Sequence, residues 1–189
     1  MPRAGLDVAA VAEAGAAVAD ETGIDQLSMS IVAERLGVRT PSLYKHVDGL
    51  AALRHHVAVL GANEVGDCLR EAVQGVSGRD ALAAAAQALR TFVKRHPGRY
   101  AATTGARPSG PDDELVPALG RSLDVLRAVL RGYRLDESEQ IHALRMLRST
   151  LHGFADLEAA SGFQIDTSVD ESFEWMIDFI DQGLRSRSG

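Results

Sequence analysis

Cysteine and long apolar runs are the two features that this chain of 189 residues most clearly lacks. A single thiol, Cys68, excludes an internal disulfide and a cluster of thiolate metal ligands, and such cysteine usage fits a reducing cytoplasm. No apolar run approaches the roughly 18 to 20 residues that a membrane-spanning helix needs. The alanine-rich N-terminus is interrupted early by acidic residues, which argues against a signal peptide. We therefore expect a cytoplasmic protein.

Basic charge is also scarce. The chain carries 20 Lys and Arg against 26 Asp and Glu, a net charge of −6, and five basic and seven acidic side chains fall within residues 1–56. Nucleic-acid-binding domains are typically basic, so this balance argues mildly against a polyanionic partner. Screening over about 8–10 Å makes local placement matter more than the sum.

Apolar residues make up 46% of the chain and recur at helical spacing, whereas the alternation typical of strands is absent. The pattern predicts an all-α fold of about nine helices. The long helices are expected at about 7–22, 50–74, 79–96, 112–132, 136–161 and 168–185, with a short helix at 99–104 and a loop at 106–114. Two further helices fall within the stretch Leu27 to Val47.

That stretch predicts a helix, a tight turn and a second helix. Ser28 is a good N-cap, and Leu27 and Val32 flank it at the spacing of a hydrophobic staple. Gly37 suits the left-handed residue that follows a helix end. On spacing alone, an ordinary helical hairpin remains an alternative to a helix-turn-helix that binds DNA.

The second helix of the pair is expected to begin with Thr40 as its cap and Pro41 at its first position. Leu43 and Val47, four residues apart, should face inward. The outward side chains are then Ser42, Tyr44, Lys45 and His46. A helix N-terminus with small polar residues, a phenol and an ammonium suits the major groove and the phosphates of DNA.

The run LSMSIVAERLGVRTPSLYKHV resembles the helix-turn-helix of TetR-family transcriptional repressors, whose pattern is LS-x-x-x-[VL]-A-x-x-LGV-x-x-[PG]-[ST]-LY-x-H[VF]. The resemblance implies a head at residues 1–48, with three helices, that binds operator DNA, and a helical body at 49–189 for ligand binding and dimerisation. The residues that it assigns to DNA are Arg39, Thr40, Pro41, Ser42, Tyr44, Lys45 and His46. Lys45 and Tyr44 should hold phosphates or base edges, Thr40 and Ser42 should reach bases, and Pro41 could contact a thymine methyl.

One position departs from this family. Its fourth helix usually begins near a basic residue that grips phosphate, and the matching position here is Leu50. Arg54, His55 and His56 could substitute, or they could form a solvated face. Arg3, ahead of the first helix, could touch phosphate, and a disordered tail is an equal alternative.

A second resemblance covers the body. The segments HPGRYAATTGARP and RMLRSTLHGFADLEAASGF, followed by the last helix, resemble one TetR branch that is marked by a Trp-His-Gly triplet. This chain has Leu151, His152 and Gly153 there, so the tryptophan is replaced. The segment after the triplet is kept as Leu157, Glu158, Gly162 and Phe163.

The family resemblance implies a homodimer formed by helices 8 and 9, in which two heads meet successive major grooves about 34–36 Å apart on a near-palindromic operator. The residues expected at the dimer interface are Gly153, Phe173, Ile177, Ile180 and Leu184. It also implies a body cavity for a small-molecule effector, expected to be apolar or aromatic. The candidate wall residues are Phe92, Tyr100, Leu126, Leu147, Leu151 and His152, for which a purely structural role in the core is the alternative.

Catalytic and metal-binding motifs are absent. The chain has no HExxH, GxSxG, P-loop or GxGxxG motif, so we expect no enzyme activity and no cofactor. His152 and Asp156 stand four residues apart, but no third ligand accompanies them at motif spacing, so no metal site is predicted. A metal-sensing repressor, and a helical module that binds a small molecule or a protein without using DNA, remain alternatives.

Overall fold

The computed structural model describes residues 6–187, and within this range all regular structure is helical. The nine α-helices of this range follow one another as α1 (Val8–Thr22), α2 (Met29–Arg35), α3 (Thr40–Leu43), α4 (Leu50–Ala72), α5 (Gly78–Arg95), α6 (Pro97–Gly105), α7 (Leu115–Arg131), α8 (Glu137–Ala159) and α9 (Val169–Arg185), with one 3-10 turn at Ile24–Gln26. The predicted all-α fold is confirmed. In the described range, no helix has both the length and the apolarity needed to cross a membrane.

Four helices begin at side-chain caps, of which the sequence analysis predicts Ser28 as a cap and the other three only as approximate helix starts. Asp7, Ser28, Asp136 and Ser168 each accept a hydrogen bond from the backbone N–H three residues later, at 2.8, 3.4, 2.8 and 3.2 Å. Each of these bonds satisfies a donor that the first helical turn leaves without a partner. Local chemistry therefore sets these four starts.

Other boundaries differ from the prediction by one to three residues. Helix α7 begins at Leu115 rather than near 112, because the Asp113 carboxylate accepts the Leu115 N–H at 2.8 Å and so acts as a cap ahead of it. Helix α8 ends at Ala159 rather than Ser161, since Ser161 adopts a positive φ of +55°. Gly162 then donates its N–H to the Leu157 carbonyl at 2.7 Å and closes the helix.

The chain forms two compact units. The first contains the described residues up to Glu64 together with His96–Ala118, and the second contains Val65–Arg95 with the described residues from Leu119 onward. In the first unit, α1 packs against α2 and α6, and α2 packs against α3. Its core includes fully buried Val11, Val32, Leu43, Leu53 and Val57. The predicted boundary at residue 48 concerns function and stays a prediction.

The second unit is built on α5, which packs against both α8 and α9. Its core includes fully buried Leu82, Leu147 and Ile177. A buried hydrogen bond joins the end of α7 to α9, because the Tyr133 hydroxyl donates to Asp181 Oδ1 at 2.7 Å. Burial raises the pKa of the Tyr133 phenol, and this hydrogen bond to a carboxylate raises it further.

Candidate nucleic-acid interface

The turn between α2 and α3 is fixed by two backbone hydrogen bonds. Gly37 adopts φ +65°, a region that glycine enters without steric cost. Its N–H donates to the Glu34 carbonyl and the Val38 N–H donates to the Ala33 carbonyl, both at 3.0 Å. These are the two bonds of the Schellman motif. The turn therefore holds α3 at a defined angle to α2.

Helix α3 and the turn after it bury one side and expose the other. Leu43 and Val47 have exposed fractions of 0% and 2%, whereas Tyr44 is 54% exposed. The structure brings the seven residues predicted to contact DNA together on one segment, in which Arg39, Pro41, Tyr44 and Lys45 are exposed and Thr40, Ser42 and His46 are half-buried. Two apolar anchors thus leave a polar surface for a partner, and its contact with DNA stays a prediction.

The predicted cap of α3 is wrong by one residue. Arg39 is the N-cap, Thr40 is the first helical residue, and no side chain caps this end. The reason is that the Arg39 carbonyl already accepts the Ser42 N–H, at 2.8 Å, so the first turn closes one residue earlier. The Thr40 hydroxyl is therefore not committed to capping this helix.

Two basic residues of the first unit, Arg35 and Arg54, are engaged within the chain. Arg35 Nη1 donates to Glu21 Oε2 at 3.0 Å. Arg54 Nη2 donates to the carbonyls of Ile24 and Asp25, at 3.3 and 3.4 Å. The exposed cations of the candidate surface are therefore Arg39 and Lys45. Arg3, the other basic residue considered for phosphate, lies outside the described residues.

His55 likewise has an intrachain partner, because its Nε2 lies 3.0 Å from Asp113 Oδ1. Backbone N–H groups of Ser109 and Leu115 lower the pKa of the Asp113 carboxyl to about 2. Arg54 and His55 are thus both engaged inside the chain, and a substitute phosphate contact by Arg54, His55 or His56 stays a prediction. His56 remains half-buried, beside the ring of His55.

A buried arginine neutralises acidic side chains of α1. Arg99 lies at the start of α6 and contacts three carboxylates. Its Nη2 is 2.6 Å from Glu13 Oε1, its Nε is 2.8 Å from Asp20 Oδ2, and its Nη1 is 2.7 Å from Glu64 Oε1. Asp20 also accepts from the Arg99 backbone N–H at 2.9 Å and lies 3.0 Å from His96 Nδ1. Burial lowers the pKa of Arg99, but its hydrogen bonds to the Glu13 and Glu64 carboxylates outweigh that effect and leave the pKa raised. Two of the acids that make the head formally acidic are thus paired.

The same helices approach so closely that glycine is required between them. A Cβ added at Gly98 would lie 2.0 Å from the Ala19 carbonyl carbon. Sequence reasoning missed this contact and the arginine cluster, because the partners are 35 to 86 residues apart. No local signal marks them.

Comparison with known proteins decides the family. The family model described as "Tetracyclin repressor-like, C-terminal domain" matches residues 82–180. The chain is 33% identical over 187 residues to the uncharacterized HTH-type transcriptional regulator YobS of Bacillus subtilis, covering 97% of this chain and 95% of that protein. It is also 33% identical to the uncharacterized HTH-type transcriptional regulator Rv0681 of Mycobacterium tuberculosis, with 99% and 90% covered. The chain belongs to the TetR family of transcriptional regulators.

Solved structures show the same fold. A protein of unknown function from Rhodococcus sp. RHA1 superposes with a TM-score of 0.81 at 23% identity, covering 98% of this chain and 99% of that one. A single-residue variant of TetR from Acinetobacter baumannii AYE, solved in complex with minocycline, gives 0.72 at 24% identity, with 98% and 100% covered. These likenesses confirm the predicted helix-turn-helix head and helical body.

The effector residues predicted for this TetR-family regulator are mostly interior. Phe92, Leu126, Leu147 and Leu151 are buried in the second unit and Tyr100 in the first, each with an exposed fraction of 7% or less, and His152 is half-buried. Packing in the hydrophobic core is by itself sufficient to explain this burial. A role in an effector cavity stays a prediction.

The single chain already buries the dimer residues predicted on α9, and their role at an interface stays a prediction. Phe173, Ile177, Ile180 and Leu184 have exposed fractions of 5% or less without any partner chain. The physical reason is that α9 turns this stripe toward its own unit, where it packs against α5. Gly153 differs, since a Cβ added there would meet nothing within 4 Å.

The apolar residues that α9 leaves exposed are aromatic. Trp175 and Phe179 are 68% and 65% exposed, and their rings stack at a centroid distance of 5.4 Å. Ile141 and Met146 of α8 are 52% and 36% exposed. In the part of the chain that the structure describes, no group of three or more His, Cys, Asp or Glu is arranged to hold a metal ion.

Proposed function

We propose that this TetR-family regulator is a homodimeric, ligand-responsive repressor that binds a near-palindromic operator through residues 39–46. The observation that carries the proposal is that this segment has one buried and one exposed side. Leu43 and Val47 are buried. The side chains of Arg39, Tyr44 and Lys45 are exposed. A helix anchored by its apolar side presents its polar side at a fixed angle, as recognition in the major groove requires. Such a protein would act in the cytoplasm.

The exposed rings of α9 support the homodimer. Large exposed apolar patches on a folded chain mark interaction surfaces. Trp175 and Phe179 form such a patch, and a pocket of about 400 Å³, lined by Phe179 and Met146 among others, lies beside it. We infer that a second copy covers these rings, so that the contact uses the outer side of α9 rather than the stripe that packs on α5.

The repression mechanism would be a population shift. The effector would bind more tightly to a body conformation in which the heads are wrongly spaced for the operator. The loss of operator affinity then equals the difference between the effector's affinities for this conformation and for the operator-binding one. A tenfold effect needs about 1.4 kcal/mol. The complex of the Acinetobacter TetR variant with minocycline shows that a protein of this fold binds such a compound, and the buried Phe92, Tyr100 and Leu151 are our candidates for contacts here. An effector that bound free and operator-bound protein equally would contradict this mechanism.

We also propose that the body belongs to the branch marked by a Trp-His-Gly triplet. The retained Leu157, Glu158, Gly162 and Phe163 support this, and Glu158 forms ion pairs with Arg90 and Lys94 of α5. Superposing a solved member of the branch on α8 tests the assignment, because its triplet must coincide with residues 151–153.

The test of operator binding is fluorescence anisotropy of a labelled duplex from upstream of the gene, or from genomic selection, measured across salt concentrations. Binding should exceed that of a random duplex by at least about 10³. Lys45→Ala should weaken binding about tenfold and should lower the slope of log K against log salt by about 2, since a dimer loses two phosphate contacts. Lys94→Ala, which removes the same charge from the body, is the matched control. Equal affinity of wild type for selected and random duplexes would refute the proposal.

A further inference from the structure

The first unit contains a cavity that none of the roles above uses. Its volume is about 410 Å³, and it lies where the 3-10 turn Ile24–Gln26, the first turn of α4 and the last turn of α6 meet. Short side chains such as Ala51, Ala102 and Ala106 give it an apolar wall, and Arg54 and Arg107 line it as well. We call it the head cavity. It is large enough for a small organic ligand.

The two guanidinium groups in this wall bond to carbonyls rather than to carboxylates. Arg54 Nη2 makes two long hydrogen bonds to backbone carbonyls, at 3.3 and 3.4 Å. Its Nε is buried and has no hydrogen-bond partner among the described residues. Arg107 Nη1 donates to the carbonyls of Thr104 and Ala106, at 3.3 and 2.8 Å. Within residues 6–187, neither guanidinium group is therefore paired with a carboxylate.

Other arginines in the same unit are paired differently. Arg35 binds the Glu21 carboxylate, and Arg99 binds three carboxylates. The carboxylate that lines the head cavity is Asp25, which is exposed, and within residues 6–187 no ion pair joins it to either arginine of the wall. The two arginines and one aspartate of the lining therefore give the cavity a positive balance.

Planar guanidinium groups recognise carboxylates and phosphates, often through paired hydrogen bonds. The alanines and Ile24 require that the ligand also has an apolar part. A bare inorganic ion would leave the space beside these side chains unfilled. The combination favours an anion that carries a compact apolar group.

We propose that the head cavity binds a small monocarboxylate with an apolar ring or short chain, and that Arg54 and Arg107 hold its carboxylate. The bound molecule would join the 3-10 turn behind the helix-turn-helix to the end of α6. Binding itself is independent of the proposed function, whereas any effect on operator affinity rests on it. The site is distinct from the interior residues proposed for the effector.

Isothermal titration with 1-naphthoate and benzoate, in a buffer free of phosphate and carboxylates, tests the site. We expect saturable binding of one molecule per chain, and no binding of the neutral 1-naphthamide. Arg107→Gln should weaken the binding at least tenfold, and Arg54→Gln should do the same. Arg127→Gln is the matched control, because Arg127 is exposed, lies in the second unit and pairs with Asp124. This variant should bind as wild type does.

Arg107 is exposed and bonds only near its own turn, so its variant should fold even if loss of Arg54 disturbs the 3-10 turn. Absence of saturable binding of both carboxylates at millimolar concentration would overturn the proposal. Unchanged affinity in Arg107→Gln, or equal affinity for the amide, would overturn it as well.

An operator duplex separates this proposal from the proposed function. If no duplex binds while naphthoate still titrates and depends on Arg107, the proposed function fails and the cavity stands. If neither carboxylate binds while both arginine variants lose the duplex, the guanidinium groups serve DNA phosphates and the assignment to a small molecule is refuted. If naphthoate binds and changes duplex affinity in wild type but not in Arg107→Gln, the cavity is a regulatory site.

Discussion

Replacing Arg99 with methionine should destabilise the protein more than any exposed ion pair could. The Arg99 side chain is 9% exposed, and its partner Asp20 is 13% exposed. Methionine keeps much of the volume but removes the charge. Asp20 then stays nearly buried with only the backbone N–H of residue 99 and the His96 ring as partners, while Glu64 and Glu13 lie close by with no guanidinium between them. Breaking a buried ion pair from one side costs about 3–5 kcal/mol. Glu13, which is 55% exposed, adds at most about 1 kcal/mol.

A loss of this size should lower the melting temperature by roughly 6–20 °C, since about 2–4 °C per kcal/mol is typical for a chain of this length. Urea unfolding at a fixed protein concentration measures the free energy directly and keeps any contribution from dimerisation constant. Arg70→Met is the matched control, because Arg70 forms an exposed pair with Asp67 and its loss should cost about 0.5 kcal/mol or less.

A double-mutant cycle tests the electrostatic reasoning itself. Asp20→Asn combined with Arg99→Met should recover part of the loss, because the uncompensated carboxylate is gone, with a coupling energy of about 1–3 kcal/mol. A cost below about 1 kcal/mol for Arg99→Met, or strictly additive effects, would refute the view that this cluster holds α6 to α1.

Three further outcomes are expected. Each aromatic ring of α9 exposes roughly 100 Å² or more, and covering it in a dimer is worth about 2.5 kcal/mol. Because a dimer carries the substitution twice, Trp175→Ala should raise the dissociation constant measured by sedimentation equilibrium at least about 10³-fold. Ile165→Ala, in an exposed loop, should leave the dissociation constant unchanged. Ser161→Gly should stabilise the chain to urea by about 0.5–1 kcal/mol by relieving the positive φ of residue 161, and destabilisation would contradict this. The low pKa of Asp113, about 2, means that its stabilising contribution is present above about pH 4 and is lost as the pH falls toward 2. Asp113→Asn should therefore flatten the fall in unfolding free energy over that range, and an unchanged slope would count against this cap.

Helix positions were largely predictable, because local chemistry sets many of their ends. The side chains of Ser28, Asp136 and Ser168 cap helices within three residues of themselves, and Gly37 takes the positive φ that its turn requires. These interactions depend on near neighbours in the chain. The exception at Thr40 is a shift of one residue, since a backbone carbonyl rather than a hydroxyl begins that turn.

The candidate DNA surface was predictable for the same reason. Leu43 and Val47 are separated by one helical turn, so their burial leaves Tyr44 and Lys45 outside. What the spacing could not supply was the state of Arg54 and His55, which find partners far away in the sequence. The sequence therefore located the surface but not which neighbouring basic side chains have partners inside the chain.

The sequence by itself determined the helical class, most helix ends and the helix-turn-helix, because these depend on periodicity and on residues within about four positions of each other. Only the tertiary structure decided which side of α9 is interior and how the acids of α1 are neutralised. Helix α9 has apolar residues on two sides, and periodicity alone cannot say whether Phe173 or Trp175 meets the chain's own core. Arg99 meets Asp20 across 79 residues, and such a pairing exists only once α6 has packed on α1.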